Sequence, residues 1–211
     1  MTTVELLLQA VINGKSKDAK ALTQKALDEG SLPGELVDTA LVPAMAAVGE
    51  KFKNNEFYVP EMLIAARAMK GAMAVLKPYL KEGDLPDMAT VAIGTVQGDL
   101  HDIGKNLVGM MLEGAGFKIV DLGVDVSPER YIEAVTSQGA SVIALSALLT
   151  TTMPNIGRTI EAVKEAGLRE KVKVIIGGAP VTQAYCDEIG ADGYSPDAGS
   201  AVDLLKSLVA A

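Results

Sequence analysis

The chain has 211 residues, 49% of them apolar, which is enough to bury one large core or two small ones. A formal charge of −8 argues against nucleic acid or an anionic membrane surface as partner, because phosphates reward a basic patch. The single cysteine, Cys186, excludes an internal disulfide, and no apolar run approaches the roughly 20 residues that span a bilayer. The start carries no basic segment ahead of a sustained apolar core, so the expectation is a cytoplasmic protein.

Residues 1–86 read as consecutive helices. "TTVELLLQAVING" has a threonine cap, apolar residues at helical spacing and a closing glycine. "SKDAKALTQKALDEG" repeats the plan, with Ser16 as the cap. "PGELVDTALVPAMAAVGEKF" is a third helix, bent or interrupted at Pro43, and "FYVPEMLIAARAMKGAMAVLKPYL" is a fourth, with Pro60 in its first turn. Four amphipathic helices with short connections predict an antiparallel four-helix bundle.

The polar, glycine- and proline-bearing stretch "KEGDLPDM" (81–88) reads as a linker, and residues 87–211 as an α/β domain. Strand candidates are "ATVAIGTV" (89–96), "FKIVDLG" (117–123), "ASVIALS" (140–146), "VKVIIGG" (172–178) and "DGYS" (192–195), each followed by a helical pattern. Five strands alternating with helices predict a parallel sheet covered on both faces, in a flavodoxin-like or Rossmann-like order.

Open parallel sheets bind ligands beyond the carboxyl ends of their strands. Four loops converge there: "TVQGDLHDIGKN", "SALLTTTMP", "GGAP" and "GYSPDA". The first holds the only histidine, His101, between Asp99 and Asp102. A serine hydrolase would want G-x-S-x-G, a zinc site three or four ligands, and a dinucleotide site G-x-G-x-x-G; all are absent, as is a P-loop. A lone imidazole oriented by a carboxylate has the form of a metal-ligating histidine. A metal held by one protein ligand takes the others elsewhere, for example from a macrocycle.

"GDLHDIGKN" resembles the Asp-x-His-x-x-Gly signature of corrinoid (vitamin B12) binding domains, matched by Asp99, His101 and Gly104. "SAL" (146–148) resembles that family's Ser-x-Leu element, and Gly177–Gly178 its third element. The helical half, with "FKNNEFYVPEMLIAARAMK", is similar to the cap of methionine synthase and of small methyl-carrying corrinoid proteins. The resemblance implies a corrinoid (cobalamin or methylcobalamin) with His101 as the lower axial cobalt ligand and Asp99 on its other nitrogen. In methionine synthase a serine completes the relay; the corresponding residue here is Thr152, which keeps a hydroxyl and adds a methyl. Asp102, Ile103 and Gly104 would border the cofactor. Ser146, Leu148, Thr150, Gly177 and Gly178 would line a slot for its nucleotide tail, closed near Gly193 and Tyr194. Phe57, Tyr58, Val59 and Met62 would shield the upper corrin face, with residues 81–88 as hinge.

The implied function is a methyl carrier without a complete active site of its own. A substrate:corrinoid methyltransferase would load it, a second methyltransferase with a folate or thiol acceptor would unload it, and a reductive activase would restore it. The alternative is a small cobalamin-binding subunit of an adenosylcobalamin mutase, which needs no shielding bundle. A B12-responsive regulator would need a DNA-binding module, which nothing here suggests. In a corrinoid-free flavodoxin-like module the histidine would be accidental. The blander readings make Asp102 a helix cap, the glycines a strand end, and Met110, Met111 and Cys186 core.

Overall fold

The computed structural model describes residues 1–80 and 89–210; the expected linker at 81–88, with the expected domain boundary and hinge inside it, lies outside the described residues. Two compact units result, one built from the chain before Ala89 and the other essentially from the chain after it.

In the first unit, α1 (Thr3–Ile12) starts with a capping box: Thr2 Oγ1 accepts from the Glu5 amide, and the Glu5 carboxylate accepts from the Thr2 amide at 2.8 Å. Helix α2 (Ser16–Asp28) begins one residue earlier than expected, with Lys15 in the cap position and Ser16 inside the first turn. The third helical stretch is continuous but uneven. After α3 (Pro33–Leu36), a π-helical turn (Val37–Leu41) leads into α4 (Val42–Lys53). Proline 43 brings no amide to the ladder; the wider turn just before it absorbs the mismatch, and the Val42 amide reaches back to the Val37 carbonyl. Helix α5 (Val59–Leu76) carries Pro60 in its first turn, and the Glu61 carboxylate accepts from the Tyr58 amide at 3.0 Å. Leu7, Val11, Leu41, Met45, Met62 and Leu76 form the core among these helices. Of the expected shielding residues, Met62 is buried and Tyr58 is 60% exposed. Phe57 lies half-buried with the Lys51 ammonium 5.4 Å from its ring centroid.

The second unit is a parallel sheet in the order β2-β1-β3-β4-β5. Its strands are β1 (Thr90–Val96), β2 (Lys118–Val126), β3 (Val142–Ser146), β4 (Lys173–Gly177) and β5 (Gly193–Tyr194). That is the flavodoxin-like order, with its switch point between β1 and β3. The near-continuous apolar runs of β1, β3 and β4 are buried on both faces, as parallel strands must be. On one face, α7 (Pro128–Gln138), α8 (Pro154–Glu165) and α9 (Gln183–Ile189) close a core of Tyr131, Ile143, Leu145, Ile156, Ile160, Val174, Ile176 and Cys186. The other face carries α6 (Ile103–Gly114), which passes over Ile93, and α10 (Ala198–Val209), whose Leu204 packs on Gly193. Strand β2 runs three residues beyond its expected end at Gly123, through two irregularities in its pairing with β1. Among the described residues no helix is long and apolar enough to cross a membrane.

Candidate functional site

The loop that leaves β1 turns at Gln97–Gly98 and presents Asp99 and His101 before α6 begins. Residue Thr95, fully buried near the end of β1, ties the loop down by donating its hydroxyl to the His101 carbonyl at 2.8 Å. Asp99 Oδ1 sits 2.7 Å from His101 Nδ1 and also accepts from the His101 amide at 3.1 Å. An ionised carboxylate only accepts, so the bond assigns the neutral ring's proton to Nδ1 and leaves a lone pair on Nε2. Among the described residues Nε2 has no hydrogen-bond partner, and the histidine side chain is 50% exposed.

Asp99 is the hub of the site and is fully buried. Its Oδ2 accepts from the Thr152 hydroxyl at 2.6 Å and from the Leu148 amide at 2.8 Å, both in the loop after β3. Burial pushes the Asp99 carboxyl up. The Thr152 hydroxyl, the His101 ring and the Leu148 and His101 amides outweigh it and hold the group below the ordinary carboxylate range. The carboxylate therefore stays charged, and the β1 and β3 loops meet on it. The resulting chain, Thr152 to Asp99 to His101, is the three-residue arrangement anticipated from the sequence, with threonine supplying the hydroxyl.

The other anticipated residues are placed unevenly. Asp102 stands immediately before α6; its carbonyl accepts from the Asn106 amide and its carboxylate from the Asn106 side chain, which suits a helix entry. Ile103 is 74% exposed, and a Cβ on Gly104 would meet no protein atom, so the bareness of that surface is not explained by packing within the chain. Ser146 ends β3, paired with Thr95 and Gly177, while Leu148 and Thr150 are exposed beyond it. Gly178 has a left-handed backbone (φ 128°), and a side chain there would collide with the Ala147 carbonyl; its smallness is what lets the β3 and β4 loops close on each other. A Cβ on Gly177 would come 3.3 Å from the Ser195 carbonyl oxygen. Gly193 packs against Leu204 of α10, and Tyr194 packs on the sheet core, so neither joins the cluster around Asp99.

Sequence reading passed over several residues that build this site. Leu100, 72% exposed, and Leu149, 42% exposed, are large apolar side chains at the surface like Ile103 and Leu148, in or next to the two loops that meet on Asp99. Large exposed apolar side chains beside a signature loop were the available signal. Asn155 donates to the Gln97 carbonyl at 2.6 Å, and Asp125 accepts from the Gly98 amide at 2.7 Å; these are contacts across 58 and 27 residues, for which a single sequence has no signal.

A 2-1-3-4-5 sheet with an outward-facing histidine at its switch point, preceded in the chain by a separate helical unit, defines a cofactor-binding α/β protein. The family models narrow this. A B12 binding domain model matches residues 89–203, and a second B12 binding domain model matches residues 3–77. The chain belongs to the B12-binding family and binds a corrinoid. It is 42% identical to dimethylamine corrinoid protein 1 of Methanosarcina acetivorans over 214 residues, covering 100% of each chain. It is also similar to a cobalamin-binding protein of Desulfitobacterium hafniense DCB-2, with a TM-score of 0.82, 32% identity and 98% of both chains covered. A third likeness is to a chain in the methanol:cobalamin methyltransferase complex MtaBC of Methanosarcina barkeri: TM-score 0.87, 28% identity, 99% of this chain and 80% of that one.

Proposed function

We propose that this chain carries methyl groups on a bound corrinoid, with His101 Nε2 as the lower axial ligand of the cobalt. The observation that carries this reading is the Nδ1–Asp99 bond of 2.7 Å, which leaves Nε2 without a hydrogen-bond partner among the described residues, on a side chain that is 50% exposed; Leu100, Ile103, Leu148 and Leu149, in the two loops that meet on Asp99 or at the start of α6, are exposed as well. Those apolar side chains and bare Gly104 suit a flat, largely apolar macrocycle. Among the described residues no group of three or more histidine, cysteine or acidic side chains could hold a metal ion, so a cobalt held by His101 would need its other ligands from a macrocycle. When bound, the corrinoid supplies a cobalt centre that accepts a methyl group and gives it up.

The protein's part is to hold His101. Thr152 donates to Asp99 Oδ2, Asp99 Oδ1 accepts from Nδ1, and the imidazole keeps one tautomer and one orientation. Held this way, His101 would offer its Nε2 lone pair to the cobalt of a bound corrinoid while Nδ1–H stays on the charged Asp99 carboxylate. The anticipated tail slot past Ser146 and Gly177–Gly178 and the shielding role of Tyr58 belong to the same proposal. Relatives named dimethylamine and trimethylamine corrinoid proteins, and the likeness to a chain of a methanol:cobalamin methyltransferase complex, support a substrate:corrinoid methyltransferase as loading partner. A second methyltransferase with a folate or thiol acceptor and a reductive activase complete the proposed cycle. A family match over the helical half, residues 3–77, favours this over the adenosylcobalamin mutase subunit.

The test is a visible spectrum of the full chain after loading with hydroxocobalamin and desalting, beside His101→Ala. Retained corrinoid whose bands change with the substitution supports the reading. A wild type that retains none under oxidising and reducing conditions defeats it.

A further inference from the structure

The edge strand β2 does more than end beside the His loop. It pairs in register with β1 as far as Ile93–Asp121; then Gly94 meets Gly123, and Val96 meets Val126. Between those points β1 advances three residues and β2 five. Gly123 (φ 86°) and Asp125 (φ 52°) adopt the left-handed backbone that such insertions use. For a residue other than glycine that region is sparsely occupied, though aspartate tolerates it better than most.

What Asp125 gains from this conformation is contact with the His loop from the β2 side. Its Oδ1 accepts from the Gly98 amide at 2.7 Å, and its own amide donates to the Asp99 carbonyl at 3.0 Å. The two bonds close a ring over the two-residue segment Gly98–Asp99. The loop after β3 grips the Asp99 carboxylate from the other side of β1, through Leu148 and Thr152. The first irregularity is itself pinned: Asp121 Oδ1 accepts from the Gly123 amide at 2.9 Å and from the buried Lys105 ammonium at 2.7 Å. A strand that merely stopped would need neither a left-handed aspartate nor a carboxylate bonded to a backbone amide 27 residues away.

We propose that Asp125 is a positioning residue for His101: with Asp99 it fixes the main chain of the loop, so that Nδ1 stays on the Asp99 carboxylate and Nε2 faces outward. The purpose of this device rests on the reading of His101 as cobalt ligand; its geometry does not. Removing the Asp125 carboxylate frees the Gly98 amide and lets the loop move relative to the Thr152–Asp99 pair. The imidazole then loses its fixed partner.

The test uses the full chain uniformly labelled with 15N, in which the single histidine gives one set of ring signals, as wild type, Asp125→Gly and Asp125→Asn. Glycine keeps the left-handed backbone and removes the acceptor; asparagine keeps both the backbone and an acceptor oxygen. The apo wild type is expected to give the Nδ1–H tautomer. Asp125→Gly is expected to give a mixture of tautomers, with the Gly98 amide exchanging about tenfold faster, the worth of one hydrogen bond. Asp125→Asn is expected to match the wild type. After hydroxocobalamin loading, Asp125→Gly is expected to show a larger histidine-off fraction than either. A wild-type tautomer and wild-type spectrum in Asp125→Gly would overturn the proposal even if that variant melted earlier, and so would an asparagine variant that behaved like glycine. If the wild type retained no corrinoid, the carrier reading would fail on its own, and the tautomer result would still decide the role of Asp125.

Discussion

Asp99 and His101 are two residues apart and share a 2.7 Å hydrogen bond, yet the aspartate side chain is fully buried and the histidine side chain is 50% exposed. The pair thus spans the boundary between the interior of the sheet and the surface. The buried member is fixed by donors from two loops, and the exposed member inherits that fixity at one nitrogen while offering the other outward. Charge, orientation and access are settled by this one contact.

The carboxylate accepts on both oxygens, so Asp99→Asn cannot preserve the arrangement. At the Oδ2 position the Leu148 amide and the Thr152 hydroxyl are both donors, which forces the asparagine oxygen there and its NH2 group toward His101. The ring must then accept at Nδ1 and carry its proton on Nε2. The expected outcome in the apo protein is a change from the Nδ1–H to the Nε2–H tautomer, read by 15N shifts of the only histidine. In the corrinoid-loaded protein a predominantly histidine-off spectrum is expected. An unchanged tautomer would show that the Asp99–His101 bond does not set the ring's proton.

Thr152 separates the hydroxyl from the methyl. Its Oγ1 donates to Asp99 Oδ2 at 2.6 Å, with the Leu149 carbonyl a longer alternative at 3.0 Å. Thr152→Val keeps the shape and leaves a buried carboxylate short of a donor, at a cost of about 1–3 kcal/mol in stability. Thr152→Ser restores the donor and loses one methyl, costing about 1 kcal/mol or less. Urea melts of the two variants give the comparison, and equal losses would mean that the hydroxyl contributes nothing.

Much of this was legible in the sequence for definable reasons. The order of elements followed from hydrophobic period, because β1, β3 and β4 are buried on both faces and read as unbroken apolar runs. Asp99, His101 and Thr152 came from a local signature and a resemblance, and the structure brings them into one hydrogen-bonded chain. The far end of β2 was missed because "VDLGVDV" carries a glycine and two aspartates, the composition of a turn, and only pairing with β1 keeps it a strand. Gly193 and Tyr194 form the short strand β5 at the same sheet edge, which is why they enter the expected slot. Gly193 lies against Leu204 and Tyr194 against the sheet core, contacts for which loop position carries no signal.

Stability should depend on acid in a way traceable to Asp99. Its folded-state carboxyl lies below the ordinary aspartate value of 3.8, so the unfolded chain takes up the proton first as pH falls. The stabilisation is fully present above that value and is lost progressively as pH drops from it toward the lower folded-state value. Urea midpoints of the wild type are expected to fall through that acid range, and the Asp99→Asn variant, which has no proton to bind at this site, is expected to follow a shallower curve. Parallel curves would place the acid sensitivity on other carboxylates.

The ion pair under α6 makes an asymmetric prediction. The Lys105 side chain is 2% exposed and its Nζ reaches both Asp121 Oδ1 and Asn106 Oδ1 at 2.7 Å, whereas the Asp121 side chain is 52% exposed. Replacing the lysine by a chain of similar length, Lys105→Met, removes a buried charge and leaves Asp121 to the solvent. The pair's attraction and the ammonium's lost hydration roughly offset each other, so a change within about 1 kcal/mol is expected. Asp121→Ala instead strands a buried ammonium with only a neutral amide oxygen and releases the Gly123 amide, at a cost of about 3 kcal/mol. The sign follows from which partner can reach water, because the exposed carboxylate can be rehydrated in place and the buried ammonium cannot. Denaturation midpoints of the two single variants and the double variant measure it. If Lys105→Met proved the costlier change, the lysine would be holding the end of β2 by attraction rather than being held by it.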